Sequence, residues 1–131
     1  MQLTSDQIQS ILSPRVLGKE ESSSVITEIS IDSRSITSPL VTLFIAIEGN
    51  RVDGHDYIDQ VYQLGVRSFI VSKPINTYGY PGAIFYLVDD VIKAMQQIAI
   101  FHRDHFDIPV IGITGSNGKT TIKEWLFQLL N

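Results

Sequence analysis

Gly115, Ser116, Asn117, Gly118, Lys119, Thr120 and Thr121 follow one another late in the chain, and these residue types suit one task, the gripping of an anionic phosphate chain. Two glycines permit backbone conformations and close approaches that a Cβ would block. Successive N–H groups and the first turn of a following helix then face an anion. Lys119 adds a positive charge for the β- and γ-phosphates, and the Thr120 hydroxyl is a hard oxygen ligand for Mg²⁺. The spacing departs from the usual phosphate loop, which has four residues between its first Gly and the Gly-Lys pair. Ile113 occupies that first place, and Gly115 gives a tighter loop with only Ser116 and Asn117 between the glycines. The expected ligands are ATP and Mg²⁺, bound by residues 115–121, with Lys119 and Thr120 in the catalytic role and Thr120 on the metal.

Such a loop needs a buried strand before it and a helix after it. Val110, Ile111, Gly112 and Ile113 predict that strand, opening after Pro109, and residues 119–130 predict the helix. Ile122, Trp125, Leu126, Leu129 and Leu130 fall at helical spacing and make one apolar stripe. Burying all five is worth roughly 7–15 kcal/mol, comparable to the stability of a whole domain. The stripe is therefore expected to dock on the preceding domain, to pair with a second copy, or to be disordered.

Upstream the pattern is that of an α/β domain. Residues 5–12 predict a helix opened by a capping box of Thr4 and Gln7, with Ile8, Ile11 and Leu12 on one face and Pro14 as the stop. Residues 20–24 are polar and read as a loop. Residues 25–31 alternate at period two from Val25 through Ile31 and predict a half-buried strand. Residues 42–47 are nearly all apolar, a strand covered on both faces. Residues 56–64 predict a short helix with Ile58, Val61 and Tyr62 inward and Gly65 as its stop; residues 67–72 are the next strand, completing a β-α-β unit. A Pro/Gly-rich loop over 74–82 precedes a strand at 84–88. Asp89 or Asp90 then caps a helix reaching about His105, with Val91, Ala94, Met95, Ile98, and Phe101 or His102 at helical spacing. Asp89 and Asp90 read as a cap rather than a catalytic pair. The domain boundaries expected are 1–107 and 108–131.

Composition removes several classes. The chain has 131 residues, enough for one domain with a real core and too few for two complete ones. Its net charge of −4 supplies no broad attraction for nucleic acid or an anionic membrane. The absence of Cys excludes disulfides and thiolate metal sites, and His102 and His105, without clustered carboxylates, make poor metal ligands. The N-terminus lacks the basic start and apolar run of a secretory signal, and no apolar stretch approaches the ~20 residues that span a bilayer. A soluble cytoplasmic protein is expected.

Two sets of residues resemble one family. Gly112 to Thr121 resembles the ATP loop of the Mur ligases, which build the peptide of bacterial cell-wall precursors. Asp32-Ser33-Arg34, then Leu43-Phe44-Ile45-Ala46, Gly49, and Asp53-Gly54-His55 look like the signature of their N-terminal, UDP-binding domain. The order and spacing match from about Ile29 to Glu124. Ser116 and the Lys123-Glu124 pair are more similar to the branch that adds D-alanyl-D-alanine than to the one that adds the third amino acid. Folylpolyglutamate synthetases are less similar: they typically carry a small residue where Thr120 stands and lack Asp-Ser-Arg. The family's usual Pro-Gly-Asp before Leu-Phe is Pro39-Leu40-Val41-Thr42 here, so the turn before that strand differs. This variant is similar to the ligase half of bacterial fusions in which an alanine racemase follows the ligase.

The resemblance implies an α/β fold: a mixed sheet flanked by helices, then the opening strand, phosphate loop and helix of a truncated ATPase domain. It implies that Ser33, Asn50, Arg51 and Val52 contact the uridine and diphosphate of UDP-N-acetylmuramoyl-tripeptide. It implies ATP-dependent joining of D-alanyl-D-alanine to that precursor through an acyl phosphate. Read without the family, Asp32 and Ser33 form a side-chain-stabilised turn with Arg34 paired to Asp32; Asn50, Asp53 and Gly54 are ordinary turn residues; His55 bonds within its own loop. Two other functions fit the same residues, a sister ligase adding the third amino acid and a non-catalytic UDP-nucleotide-binding module with a vestigial phosphate loop. The chain alone, ending one helix past the loop, is expected to show no ligase turnover.

Overall fold

The computed structural model describes residues 2–19 and 25–130; the polar stretch 20–24 lies outside the described residues. The first helix, α1 (Ser5–Leu12), has the predicted bounds and the capping box of Thr4 and Gln7, buries Ile8, and ends at Ser13 in a left-handed conformation just before Pro14. Among the described residues five strands form one sheet: β1 (Arg15–Gly18), β2 (Glu28–Ser30), β3 (Thr42–Ile45), β4 (Ser68–Val71) and β5 (Ile84–Leu87), in the order β1-β5-β4-β3-β2. β2 to β5 are parallel neighbours, and β1 closes the β5 edge antiparallel, Arg15 opposite Leu87 and Gly18 opposite Ile84. The fold is the mixed α/β sheet that the sequence implies.

Strand alternation divides the core in two. Leu43, Ile45, Ile70, Ile84 and Tyr86 face α1 and a second helix, α3 (Val91–Arg103), with Leu3, Ile8, Ala94 and Ile98 in the same cluster. Phe44, Ala46, Phe69, Val71 and Phe85 face the other way, onto Ile58 and Val61 of α2 (Ile58–Gln63). All four residues of β3 and of β4 are buried, as continuous apolar strands covered on both faces require. On the α2 side Phe69 stacks on Phe85 at 4.8 Å and meets Phe44 edge-on at 6.3 Å. Gly65 (φ +112), just past the Leu64 cap, stops α2, and Asp90 caps α3 through the amides of Ile92 and Lys93.

Two expectations are corrected, and one strand is unforeseen. The segment 25–31 pairs with β3 only over Glu28–Ser30. Leu3 and Ile26 exchange backbone hydrogen bonds of 2.9 and 2.8 Å in an isolated antiparallel bridge. Ile26 and Ile29, three apart, both reach the α1/α3 core, which a straight strand does not allow, and Val25 and Ile31 are left exposed. β1 is an element that period-two reading does not reveal. Residues 110–113 are not a strand: Val110 and Ile111 are 71% and 58% exposed, because an apolar run becomes a strand only beside another chain segment that takes its N–H and C=O groups.

The last helix, α4 (Lys119–Leu130), does have the predicted bounds. It does not dock on the sheet domain: Ile122, Trp125, Leu129 and Leu130 are exposed, and Leu126 is half-buried. No helix of the described residues is long and apolar enough to cross a membrane.

Candidate functional site

Parallel strands leave a crevice beyond their carboxyl ends. Here the chain leaving β2 and the chain leaving β3 diverge around a cleft of about 630 Å³. One wall is Ile31, Asp32, Ser33 and Arg34; the other is Ile47, Gly49, Val52 and Gly54; Phe44, Tyr57 and Gln60 complete the lining.

The first wall is a turn built from its own side chains. Ser30 Oγ and Ser35 Oγ both donate to the Asp32 carbonyl at 2.9 Å. The Asp32 carboxylate accepts from the Arg34 amide (2.9 Å), from Arg34 Nε (3.0 Å) and from Arg34 Nη2 (2.8 Å). The bonds from the Arg34 side chain, then its amide, bring the Asp32 carboxyl down to about 2. Arg34 is thus held bidentate at the cleft mouth, the local pairing expected of these residues. Ser33 is buried in the same turn.

The second wall is a closed loop. Glu48 bridges Asp53, the Gly49 amide donates to the Val52 carbonyl (2.9 Å), and the Gly54 amide donates to the Ile47 carbonyl (2.8 Å). Gly54 must lack a side chain: a Cβ there would lie 2.6 Å from the Ile47 nitrogen and 2.9 Å from Ala46 Cα. Asp53 caps the 3₁₀ turn Gly54–Tyr57 by accepting from the His55 amide at 2.9 Å.

The loop is fastened from behind. His55 Nδ1 donates to Asp53 Oδ1 (2.6 Å), and the Ser72 amide, just past β4, donates to His55 Nε2 (3.1 Å). Lys73 donates to Asp53 Oδ2 (2.5 Å) and pairs with Glu48 at 3.2 Å. Lys73, then the His55 amide and ring, hold the Asp53 carboxyl far below the usual carboxylate range. His55 therefore bonds locally, as expected.

Of the four residues expected at the precursor, Ser33 and Val52 line the cleft, while Asn50 and Arg51 lie on the exposed part of the same loop and are not in its lining. Sequence reading misses Tyr57, Gln60 and Lys73. Tyr57 and Gln60 follow Asp53-Gly54-His55 at helical spacing and stand on the exposed side of the turn and helix, a signal available but unused. Lys73 is 20 residues from its partner Asp53 and carries no local signal.

The phosphate loop is formed by backbone conformation. Gly115 and Gly118 have φ of +151 and +74, and Gly118 has open space where a Cβ would lie; the glycines serve the chain's path there rather than relieving crowding. α4 begins at Lys119, so the first-turn amides lack intrahelical acceptors. Lys119 Nζ folds back onto the Gly115 carbonyl at 2.6 Å. Amides, an ammonium and the Thr120 hydroxyl make a donor set that fits a magnesium-bound polyphosphate. Among the described residues no group of three or more His, Asp or Glu could hold a metal by itself, so Thr120 would be one ligand among phosphate and water oxygens. His105 Nδ1 is engaged with the Phe101 carbonyl at 2.7 Å.

Known proteins are similar to this chain in sequence and fold. The family model described as Mur ligase family, catalytic domain, matches residues 25–111, and the chain belongs to the Mur ligase family. It is 41% identical over 106 residues to the UDP-N-acetylmuramoyl-tripeptide--D-alanyl-D-alanine ligase of Synechocystis, covering 81% of this chain and 23% of that one. It is 42% identical over 102 residues to the UDP-N-acetylmuramoyl-L-alanyl-D-glutamate--2,6-diaminopimelate ligase of Oceanobacillus iheyensis, covering 74% and 19%. Among solved structures, the D-alanyl-D-alanyl ligase of Acinetobacter baumannii superposes with a TM-score of 0.83 at 30% identity over 99% of this chain and 28% of that one. MurF from Thermotoga maritima, in complex with ADP, gives 0.65 at 30% identity over 79% and 23%. The chain spans about a quarter of the length of these relatives.

Proposed function

We propose that this chain is the part of a D-alanyl-D-alanine-adding Mur ligase that binds the UDP end of UDP-N-acetylmuramoyl-tripeptide and supplies the phosphate loop for ATP. The observation that carries the reading is the cleft beyond β2 and β3, walled by the Asp32–Arg34 turn and the closed 47–54 loop. Residues 1–107 form the precursor-binding domain and residues 108–131 open the ATP-binding one. Ser33 and Val52 contact the uridine, Asn50 reads a uracil edge, and Arg51, at the loop's exposed part, reaches for the diphosphate once it is seated, suited to an anion by charge. Similarity over nearly the whole chain to the Acinetobacter D-alanyl-D-alanyl ligase supports this branch.

At the second site residues 115–121 hold the phosphates, Lys119 offsets charge on them and Thr120 ligates Mg²⁺. Bound MgATP supplies the phosphoryl group that activates the tripeptide carboxylate. The chain's own contribution is to orient that group through backbone N–H groups and to hold a compensating charge beside it. The cytoplasm is the compartment this reading favours, in keeping with described helices that are not long and apolar enough to cross a membrane. In the chain as it stands, the uncovered stripe of α4 favours pairing with a second copy.

Calorimetry with UDP-N-acetylmuramoyl-tripeptide tests the reading. We expect binding to the 131-residue chain that Ser33→Ala weakens about three- to tenfold, the effect of losing one hydrogen bond. An unchanged affinity for Ser33→Ala together with Val52→Asp overturns it. The Oceanobacillus relative favours a second reading, addition of the third amino acid. The full-length enzyme separates the two by phosphate release with D-alanyl-D-alanine against release with a diamino acid.

A further inference from the structure

The wall of the cleft is attached to the end of β4 through an imidazole and an ammonium. The 47–54 loop supplies Gly49, Val52 and Gly54 to the lining, yet its tie to the end of β4 runs through His55 and through Lys73. The His55 side chain is only 7% exposed. Its two ring nitrogens have different partners. Nδ1 faces a carboxylate, Asp53 Oδ1 at 2.6 Å, and must donate. Nε2 faces a backbone N–H, that of Ser72 at 3.1 Å, which can only donate. Both bonds exist together in one state alone, the neutral ring with its hydrogen on Nδ1.

We propose that His55 is a positioning residue for the cleft: in the neutral Nδ1–H state it fastens the 47–54 loop to the end of β4, and a proton on Nε2 loosens that wall. The inference rests on the reading of the cleft as the UDP site only for its ligand. The charged groups in contact with the ring or its partners are Asp53 and Glu48 from the loop and Lys73 from the segment after β4. These neighbouring charges are of both signs. Geometry decides the outcome, since a protonated Nε2 meets another N–H at 3.1 Å and has no acceptor. The ring then turns and gives up Ser72, which leaves the loop held behind by Lys73 alone and loosens the wall at Val52 and Gly54.

The test combines nuclear magnetic resonance with binding of UDP, which is the probe. Imidazole ¹⁵N shifts report the tautomer, and the amides of Ser72 and of residues 49–52 report the wall. Between about pH 8 and about pH 5, where an imidazole ordinarily changes charge, those amides are expected to shift together with the ring. UDP affinity is expected to fall about three- to tenfold over the same range, the effect of one lost hydrogen bond. His55→Gln, whose amide oxygen can accept from Ser72 but does not titrate, should bind UDP with a pH-independent affinity; His55→Ala should bind weakly at every pH. Ser33→Ala should lower affinity by the same factor throughout. A hydrogen on Nε2 at pH 8, loop amides indifferent to the ring's titration, or a His55→Gln profile that follows wild type would each overturn the proposal. If UDP fails to bind at any pH while the tautomer and the loop amides behave as stated, the positioning role holds and the UDP reading of the cleft falls.

Discussion

Gly54→Ala isolates what the cleft wall demands of the backbone. An alanine Cβ would sit 2.6 Å from the Ile47 nitrogen and 2.9 Å from both Ala46 Cα and the Ile47 oxygen. All three are backbone atoms at the end of the interior strand β3, where Ala46 is buried and its amide donates to the Ile70 carbonyl of β4 at 2.9 Å. No side chain can turn aside to make room. The loop must move out, which breaks the 2.8 Å bond from the Gly54 amide to the Ile47 carbonyl, or β3 must shift within a core closed on both faces. Overpacking costs about 1–3 kcal/mol and a broken hydrogen bond about 1 more, so the substitution should destabilise by about 3 kcal/mol. That corresponds to a fall of about 12–24 °C in Tm for a domain of this size. Gly79→Ala, where a Cβ would meet nothing within 4 Å, is the control and should stay within about 0.5 kcal/mol. Urea unfolding followed by circular dichroism measures both, with the m-value checking that the unfolded state is unchanged. If Gly54→Ala unfolds at the same urea concentration as Gly79→Ala, the steric account of the wall is wrong.

Phe69→Ala removes the ring stacked on Phe85 and should cost about 3–5 kcal/mol by the same urea assay. Acid should destabilise the fold, because the carboxyls of Asp32 and Asp53 are both lowered in the native state. Their contribution is present above the unfolded carboxylate value of about 4 and is lost as the pH falls through the native values, about 2 for Asp32. Urea midpoints at about pH 6 and about pH 3 should therefore differ, and less so in Asp53→Asn. Lys119→Ala touches only an exposed contact to the Gly115 carbonyl, so stability should stay within about 0.5 kcal/mol while the full-length enzyme loses MgATP binding by calorimetry; unaltered MgATP affinity would point to a binding module with a vestigial loop. Leu129→Glu, on the exposed stripe of α4, should convert any dimer seen by analytical ultracentrifugation to monomer, and a wild-type chain that is monomeric at high concentration would remove self-association.

What could be read from sequence divides along local and non-local lines. The bounds of α1 and α4, the capping box at Thr4 and the stop at Gly65 follow from residues within one turn of each other, so the chain itself announces them. β3 and β4 were legible because a strand buried on both faces has no polar alternation to conceal it. β1 was not, since its four mostly exposed residues become a strand only by meeting β5 about seventy positions later. The opposite error at 110–113 has the same cause: apolar residues without a neighbouring strand stay unpaired. In the site, Ser33 and Val52 are reached through the family resemblance alone, and both line the cleft. The tie through Ser72 and Lys73 is written only in the packing of β4 beside β3.

The two candidate sites are unequally prepared for their ligands, and this has a consequence for the chain in isolation. The cleft walls are fixed by bonds already made: Arg34 to Asp32, His55 to Asp53 and Ser72, and Lys73 to Asp53. A ligand there does not have to order them. Residues 108–121 are exposed apart from half-buried Ile113, and few buried apolar contacts mean low local stability. Fixing three loop residues costs about 3–6 kcal/mol, a hundredfold or more in affinity. The 131-residue chain should therefore bind a uridine diphosphate compound at least a hundredfold more tightly than MgATP, even though the phosphate loop is the more conspicuous motif. Comparable affinities for the two would mean that the glycine loop is already held as firmly as the cleft, by contacts that its exposure does not suggest.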